Sequence, residues 1–292
     1  MTTWPDYELI DFGADAKGQG RKLERFGALL LDRPSPAAQE TKKKDPSAWR
    51  DAAARFEGSR MGEGVWKPAA KNWAGDASVA VSVGEGFQLT IAPTPAGQVG
   101  FFPEQFTNWR WIHERVSHAA EPIRVLNLFG YTGGSTLAAA AAGANVTHVD
   151  ASKPSVERAR ANAELSGLAD APVRWIVEDA VKYCRRELKR GSLYDAVILD
   201  PPSYGHGPKG EEWRLERDLP VLLELCRDLT IESRAFLLAT CHTPGVGPAE
   251  LSAYLSDAVV GHCGQPPASG RLWLATGDGR KLESGVYARW PK

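Results

Sequence analysis

The chain has 292 residues, 43% hydrophobic and 24% charged, with a net charge of −1. This is the make-up of one large globular domain or two modest ones, without the global basic field of a nucleic-acid binder. The apolar runs fall well short of a membrane span, and the acidic opening (Asp6, Glu8, Asp11) lacks the basic stretch of a signal peptide. Four scattered cysteines (Cys184, Cys226, Cys241, Cys263) form no C-x-x-C pair, which speaks against a metal site and for a reducing cytoplasm.

Residues 7–13 and 21–26 alternate around a Gly-rich turn and predict a β-hairpin. Asp32-Arg33-Pro34-Ser35-Pro36 reads as a rigid loop, residues 49–56 as a short helix, and 65–73 and 78–91 as strands, the last broken at Gly84-Glu85-Gly86. Residues 1–95 therefore read as a small β-rich accessory and substrate-recognition domain. Ala92-Pro93-Thr94-Pro95 joins it to a second domain over 96–292. Residues 17–71 hold 13 Lys/Arg against 7 Asp/Glu, an excess that suits either a solvated face or an RNA-facing patch. Beyond the joint, Phe101 and Phe102 read as core packing. Gln105 sits in a turn just ahead of the second domain, and Thr107 is a candidate cap for a helix over 108–119.

The apolar run 125–129 is short and bounded by glycine, which predicts a buried strand. Gly130, Gly133 and Gly134 then predict a tight turn, and Ser135 a cap for a helix that stops at Gly143. Strand, glycine turn and helix make a nucleotide-type cofactor site, because glycine admits a close ligand and the helix start presents free N–H groups. Residues 146–149 form the next strand and end in Asp150, where a carboxylate accepts both ribose hydroxyls. The order Gly130-Tyr131-Thr132-Gly133-Gly134 lacks the G-x-G-x-x-G of a dinucleotide site, which favours S-adenosylmethionine (SAM) over NAD.

Ser152 is expected to cap a helix over 153–165, and strand 173–177 leads to Asp179 and Ala180. Asp179 can cap the helix 180–189 and also meet an adenine amino group. Strand 194–199 ends at Asp200-Pro201-Pro202-Ser203. In a doubly wound sheet this is the switch point beside the first strand, so Asp200 and the Pro-Pro backbone should face the reactive end of the cofactor. A helix over 212–227, a strand 235–240 ending at Cys241-His242, a helix 248–260 and a hairpin of 271–276 with 285–290 complete the chain. The expected fold is α/β: a Rossmann-like, seven-stranded, mostly parallel sheet with one antiparallel strand and a small N-terminal β-rich domain.

From about residue 97 onward the chain resembles class I SAM-dependent methyltransferases, and among them the large-subunit ribosomal RNA methyltransferase I-like family. The resemblance rests on Val125-Leu-Asn-Leu-Phe-Gly-Tyr-Thr-Gly-Gly134, Val149-Asp150-Ala151-Ser152, Glu178-Asp179, Asp200-Pro-Pro-Ser203 and the turn 97–105 with Gln105. It implies a methyltransferase with SAM as cofactor, S-adenosylhomocysteine as product and ribosomal RNA as substrate. It also implies that Phe129, Gly130, Tyr131, Thr132, Gly133 and Gly134 wrap the methionine part, Asp150 the ribose and Asp179 the adenine. Family members often carry a PUA-type RNA-binding domain; here only a β-rich segment is visible.

Three acceptors are compatible with this chemistry. Cytosine C5 needs a thiolate at C6, and Cys241 is the candidate; the resemblance points the same way, although His242 replaces the serine of the family pattern. A small buried cysteine is the alternative reading of Cys241. An exocyclic amine (adenine N6 or guanine N2) would bind through Asp200, Pro201 and Pro202, but Ser203 stands where such enzymes place a stacking aromatic. A protein or small molecule is the third acceptor, and a silent SAM-binding subunit of an RNA complex is the non-enzymatic reading. His206 and Lys209, in the loop after Asp200, read as solvated or as contacts to phosphate or base.

Overall fold

The alternation near the N-terminus does build strands. The computed structural model describes residues 4–58, 64–207, 210–261 and 264–291. Strands β1 (Tyr7–Ala14), β2 (Gly20–Phe26), β3 (Leu29–Pro34), β4 (Ala54–Glu57) and β5 (Val65–Lys67) pair in that order, antiparallel except for β3 with β4. Strands β6 (Ser78–Val81) and β7 (Phe87–Thr90) form a separate ribbon, interrupted at Gly84-Glu85-Gly86 as expected. Residues 1–82, 88–106 and 273–284 make one compact unit. Its small core joins Leu9, Phe12 and Ala38 to Leu274 and Leu282, and Trp4 stacks on Phe106 and meets Phe101. Phe101 is thus a packing residue, as read.

Three local expectations fail here through tertiary pairing that overrides local preference, the first being Asp32-Arg33-Pro34, read as loop, which completes β3 against β2. Residues 49–56 are not one helix: a 3₁₀ turn at Ala48–Asp51 gives way to β4, which buries Ala54 and Phe56 between β3 and β5. The strand expected over 65–73 ends at Lys67, because Pro68 cannot donate to a ladder, and a 3₁₀ turn follows at Ala70–Asn72.

Much of the basic charge over 17–71 is paired with carboxylates, and part of it is buried. Glu24, fully buried on β2, accepts from Arg33 through Oε2 and meets Lys22 and the Tyr7 hydroxyl through Oε1. Arg21 is buried against Asp32 at 2.5 Å and also donates to the Phe56 carbonyl. Arg55 pairs with Asp15 and Asp32, Lys67 with Glu57, and Lys44 with Asp278. Arg60 lies outside the described residues.

Residues 83–87, 107–272 and 285–292 make the second unit. Helix α1 (Phe106–Ser117) follows directly from a 3₁₀ turn, Pro103–Gln105, so Thr107 lies inside its first turn rather than capping it. The chain then alternates through β8 (Arg124–Leu128), α2 (Gly134–Ala141), β9 (Asn145–Asp150), α3 (Lys153–Leu165), β10 (Val173–Val177), α4 (Ala180–Lys189) and β11 (Ala196–Leu199). A short hairpin, β12 (Tyr204–His206) with β13 (Glu212–Arg214), precedes α5 (Leu215–Leu229). After it come β14 (Phe236–Cys241), α6 (Pro248–Leu255) and the strands β15 (Ala268–Ala275) and β16 (Lys281–Trp290).

The seven-stranded sheet runs β10-β9-β8-β11-β14-β16-β15. Its parallel strands are β8 to β11 and β14, and β16 runs antiparallel to β14. This is the expected Rossmann-like topology, with β8 and β11 adjacent at the switch point. Helix α3 begins at Ser152 and α4 at Asp179, where each side chain accepts a first-turn N–H as read. Two expectations are corrected. Ser135 does not cap α2, whose N-cap is Gly133. Residues 212–214 are strand, not helix, because Trp213 turns inward from β13 and pairs opposite Gly205.

The buried ion pairs of the first unit set a stability test. Burial opposes the charge on Glu24, but Arg33 and Lys22 outweigh it and hold its carboxyl below the usual carboxylate range. Its contribution is therefore complete above the unfolded value of about 4.3 and is lost as pH falls through the lower folded value. Glu24→Ala leaves Arg33 buried without its counter-ion, and urea denaturation should show a loss of about 3–5 kcal/mol.

Candidate active site

The C-terminal ends of β8, β9, β10 and β11 present Phe129, Asp150, Asp179 and Asp200 along one edge, each only partly buried. The turn after β8 is unusual. Phe129 and Tyr131 both have positive φ (56° and 48°), a conformation that costs a residue with a side chain about 1–3 kcal/mol. Such strain persists only where the surroundings over-determine it.

The surroundings do so here. Gly130 N–H donates to the Val149 carbonyl (3.0 Å), and Tyr131 N–H to Asp150 Oδ2 (2.8 Å). The Thr132 carbonyl accepts from Asn162 Nδ2 of α3 (2.9 Å). Each glycine also meets a side chain at close range. A Cβ on Gly130 would lie 2.5 Å from His148, and one on Gly134 would lie 2.6 Å from Trp109. Gly133, at φ +94°, packs on Ala159. The glycines thus serve close packing beneath the turn, and its left-handed geometry is shared between Gly133 and two residues with side chains.

Below Gly130 lies a buried polar chain: Asn127 Nδ2 donates to Thr136 Oγ1 (2.8 Å), which meets His148 Nδ1 (2.9 Å). Burial pushes the His148 imidazole down to about 3, so the ring is neutral. The order of donors then assigns its proton to Nε2.

Asp150 is held from two sides. Oδ2 accepts Tyr131 N–H and Oδ1 accepts Ser152 N–H, both at 2.8 Å. Each carboxylate oxygen has a further lone pair for a ribose hydroxyl. Burial raises the Asp150 pKa, and the Ser152 and Tyr131 amides offset it only in part. At the end of β10, Asp179 uses Oδ1 to cap α4 through Lys182 N–H (2.9 Å), while Ala180 is packed in the core. Ala151 is half-buried beside Asp150. Helix α2 starts at a glycine with no side-chain cap, so its first amides are not taken by a side chain. Carboxylates for ribose and adenine, with an uncapped helix start under a methionine-sized turn, form a donor and acceptor set that fits SAM.

The Asp200-Pro201-Pro202 turn is tied to the same cluster through Trp213. The indole Nε1 donates to the Pro202 carbonyl (2.7 Å), and its ring packs on Phe129 with centroids 4.9 Å apart. Pro201 is buried and Pro202 exposed. At the end of β14, Cys241 is 1% exposed within the hydrophobic core, and its Sγ accepts Thr243 N–H at 3.4 Å. Its neighbour His242 faces Asp200, Nε2 to Oδ1 at 3.5 Å, and the Ser203 and Thr243 hydroxyls meet at 2.7 Å.

Most of the expected site residues are therefore gathered in the second unit. Gln105 is not among them: it is buried in the turn Pro103–Gln105 of the first unit. His206 is bonded to the Tyr204 hydroxyl (3.0 Å), and Lys209 lies outside the described residues. Sequence reasoning passed over Trp213, His148, Asn162 and Trp109. Of these Trp213 carried a signal, since Glu212-Trp213-Arg214 alternates as a strand does. Among the described residues no helix is long and apolar enough to cross a membrane, and no cluster of three or more metal-type ligands occurs.

A family model for S-adenosylmethionine-dependent methyltransferases matches residues 69–259. Among curated proteins, Ribosomal RNA large subunit methyltransferase I of Aeromonas salmonicida is 37% identical over 120 residues, covering 41% of this chain and 29% of that protein. Its namesake from Photobacterium profundum is 43% identical over 82 residues, covering 28% of this chain and 21% of that protein. The chain thus matches under a third of the length of these two relatives. The crystal structure of a SAM-dependent methyltransferase from Agrobacterium tumefaciens is 37% identical, with a TM-score of 0.88 over 98% of this chain and 91% of that one. A Streptococcus mutans protein described as a SAM-dependent methyltransferase, 18% identical with a TM-score of 0.69, covers 99% of this chain and 75% of that one and shares the fold.

The raised pKa of Asp150 gives the site a pH signature. A carboxylate whose pKa is raised loses its charge at a higher pH than an ordinary aspartate, so SAM affinity should fall, as the solution is acidified, before pH reaches about 3.9. Titration calorimetry should show this decline in the parent. Asp150→Asn, which loses a charged acceptor, should weaken SAM roughly 10- to 100-fold at neutral pH and abolish the acid-dependent decline.

Proposed function

The chain belongs to the S-adenosylmethionine-dependent methyltransferases, and from that premise we propose that it methylates a base of ribosomal RNA in the cytoplasm, with cytosine C5 as the acceptor atom. The substrate class is supported by the ribosomal RNA methyltransferases to which part of the chain is similar. The acceptor atom rests on the turn itself: the Pro202 carbonyl already spends one of its two lone pairs on Trp213, which leaves it less open to a base amine. Ser203 stands where such enzymes place an aromatic.

SAM supplies the methyl group on a sulfonium, and the chain's part is to bind, orient and move protons. Phe129 to Gly134 enclose the methionine part, Asp150 takes the ribose hydroxyls and Asp179 the adenine amine. Asp200, at the neighbouring strand end, orients the base. In the C5 reading the Cys241 thiolate adds to C6 and C5 takes the methyl. Loss of the C5 proton then expels the thiolate and restores the double bond. The thiol lies in the core in this structure, so this route requires the Cys241–Thr243 turn to swing Sγ outward. That burial is also the observation favouring a second reading, transfer to an exocyclic amine oriented by Asp200, which needs no thiolate. Residues 1–95, in this proposal, form the accessory domain that recognises the substrate.

Tritium-labelled SAM incubated separately with undermodified ribosomal RNA, total protein and a metabolite extract tests both levels of the reading. Label should enter RNA as 5-methylcytidine, and Cys241→Ala should lower that rate at least roughly a thousandfold. Label in a methylated amine that survives Cys241→Ala moves the chemistry to Asp200. Label confined to protein or metabolites overturns the RNA assignment.

A further inference from the structure

Asp200 is the residue on which both acceptor readings converge, yet an aspartate side chain at the end of a strand has several rotamers open to it. The turn after β14 restricts it. His242 Nε2 stands 3.5 Å from Asp200 Oδ1, an ion-pair distance rather than a hydrogen bond, and the two facing atoms are shielded from solvent although the side chains are 25% and 29% exposed. The imidazole is itself confined. Gly285 of β16 has φ +129°, and a Cβ there would fall 2.6 Å from His242 Nδ1 and 3.0 Å from the Cys241 carbonyl, so the ring occupies the space that any side chain at 285 would need. The two turns are joined a second time by the Ser203 and Thr243 hydroxyls at 2.7 Å, and Thr243 N–H is bonded to Cys241 Sγ. The ends of β11 and β14 are thus linked side chain to side chain, with His242 wedged between Asp200 and a glycine.

We propose that His242 is a positioning residue for methyl transfer: wedged against Gly285, its imidazole fixes Asp200 Oδ1 and so presents the other carboxylate oxygen to the acceptor base. This rests on the reading of Asp200 as the group that orients the acceptor. His242 carries no covalent step. With its proton on Nε2 the imidazole presents an N–H to the carboxylate at 3.5 Å without a formed hydrogen bond, and a misplaced orienting group is expected to slow transfer roughly ten- to a hundredfold while leaving the cofactor pocket intact.

The test uses the full-length enzyme and whichever fraction the wild type labels from tritiated SAM. His242→Phe keeps a ring against Gly285 but removes the donor; kcat should fall roughly ten- to a hundredfold with SAM Kd unchanged. His242→Gln restores an N–H donor near the position of Nε2 and should recover most of that loss. Wild-type kcat in His242→Phe, or a Gln variant as slow as the Phe variant, overturns the proposal. Label found outside RNA would sink the RNA reading instead, and the comparison of variants would still decide the role of His242.

Discussion

The hydrogen bond from Tyr131 N–H to Asp150 Oδ2 is the contact on which the cofactor edge depends. It joins the turn after β8 to the end of β9, and it spans a turn in which Phe129 and Tyr131 both hold left-handed dihedrals. Two such residues cost a few kcal/mol together. A hydrogen bond to a charged carboxylate contributes about 1.5–3 kcal/mol, and the Asn162 bond to the Thr132 carbonyl adds about 1. The turn is therefore near balance, held without much surplus. Under the proposed role of Asp150 as the ribose acceptor, the group that holds this turn in shape is also the one that would meet the ligand. Binding then adds partners to Asp150 rather than rearranging it, which is how a site is pre-organised at low cost.

That turn is rigid from below and from the side. From below, the neutral His148 and its Asn127–Thr136 chain fill the space under Gly130, where a charged ring would have no counter-ion. From the side, Trp213 packs on Phe129 while its N–H holds the Pro202 carbonyl. One indole therefore fixes the distance between the cofactor turn and the turn of Asp200. In an in-line displacement that distance sets how well the acceptor meets the methyl group. The hairpin of β12 and β13 exists to deliver this side chain: Gly205 opposite Trp213 leaves room on the inner face, and the exposed residues Tyr204 and Glu212 occupy the other.

Much of the second unit was legible because its signals are local. The helix starts at Ser152 and Asp179 were read correctly since each cap is satisfied within its own first turn. The sheet followed from alternation of apolar runs with helices, a pattern with few topologies open to it. What escaped reading depends on residues distant in the chain. Ser135 looked like a cap, but Gly133 took that place when Phe129 and Tyr131 adopted left-handed dihedrals. Residues 212–214 looked helical because the partner that makes them a strand lies across a loop. Cys241 showed its position at a strand end but not its burial, which is set by α5, α6 and β16 packing around it.

The basic stretch 17–71 shows the same limit in electrostatic form. A count of charges treats every cation as available to a polyanion. Counter-ion release, however, rewards only cations that reach a phosphate, at about 0.7 of a charge per contact for single strands. Arg21 and Arg33 are buried against Asp32 and Glu24, and Lys22 and Arg55 are spent on the same carboxylates. Turning them towards RNA would strand those acids inside the sheet, at a cost of several kcal/mol each. Among the described residues Lys17, Lys42, Lys44, Arg50, Lys67 and Lys71 are the exposed cations of the stretch, and Lys44 and Lys67 pair with Asp278 and Glu57. The charge count of the N-terminal segment therefore overstates what a polyanion could reach, since only its exposed cations are available without stranding a buried acid.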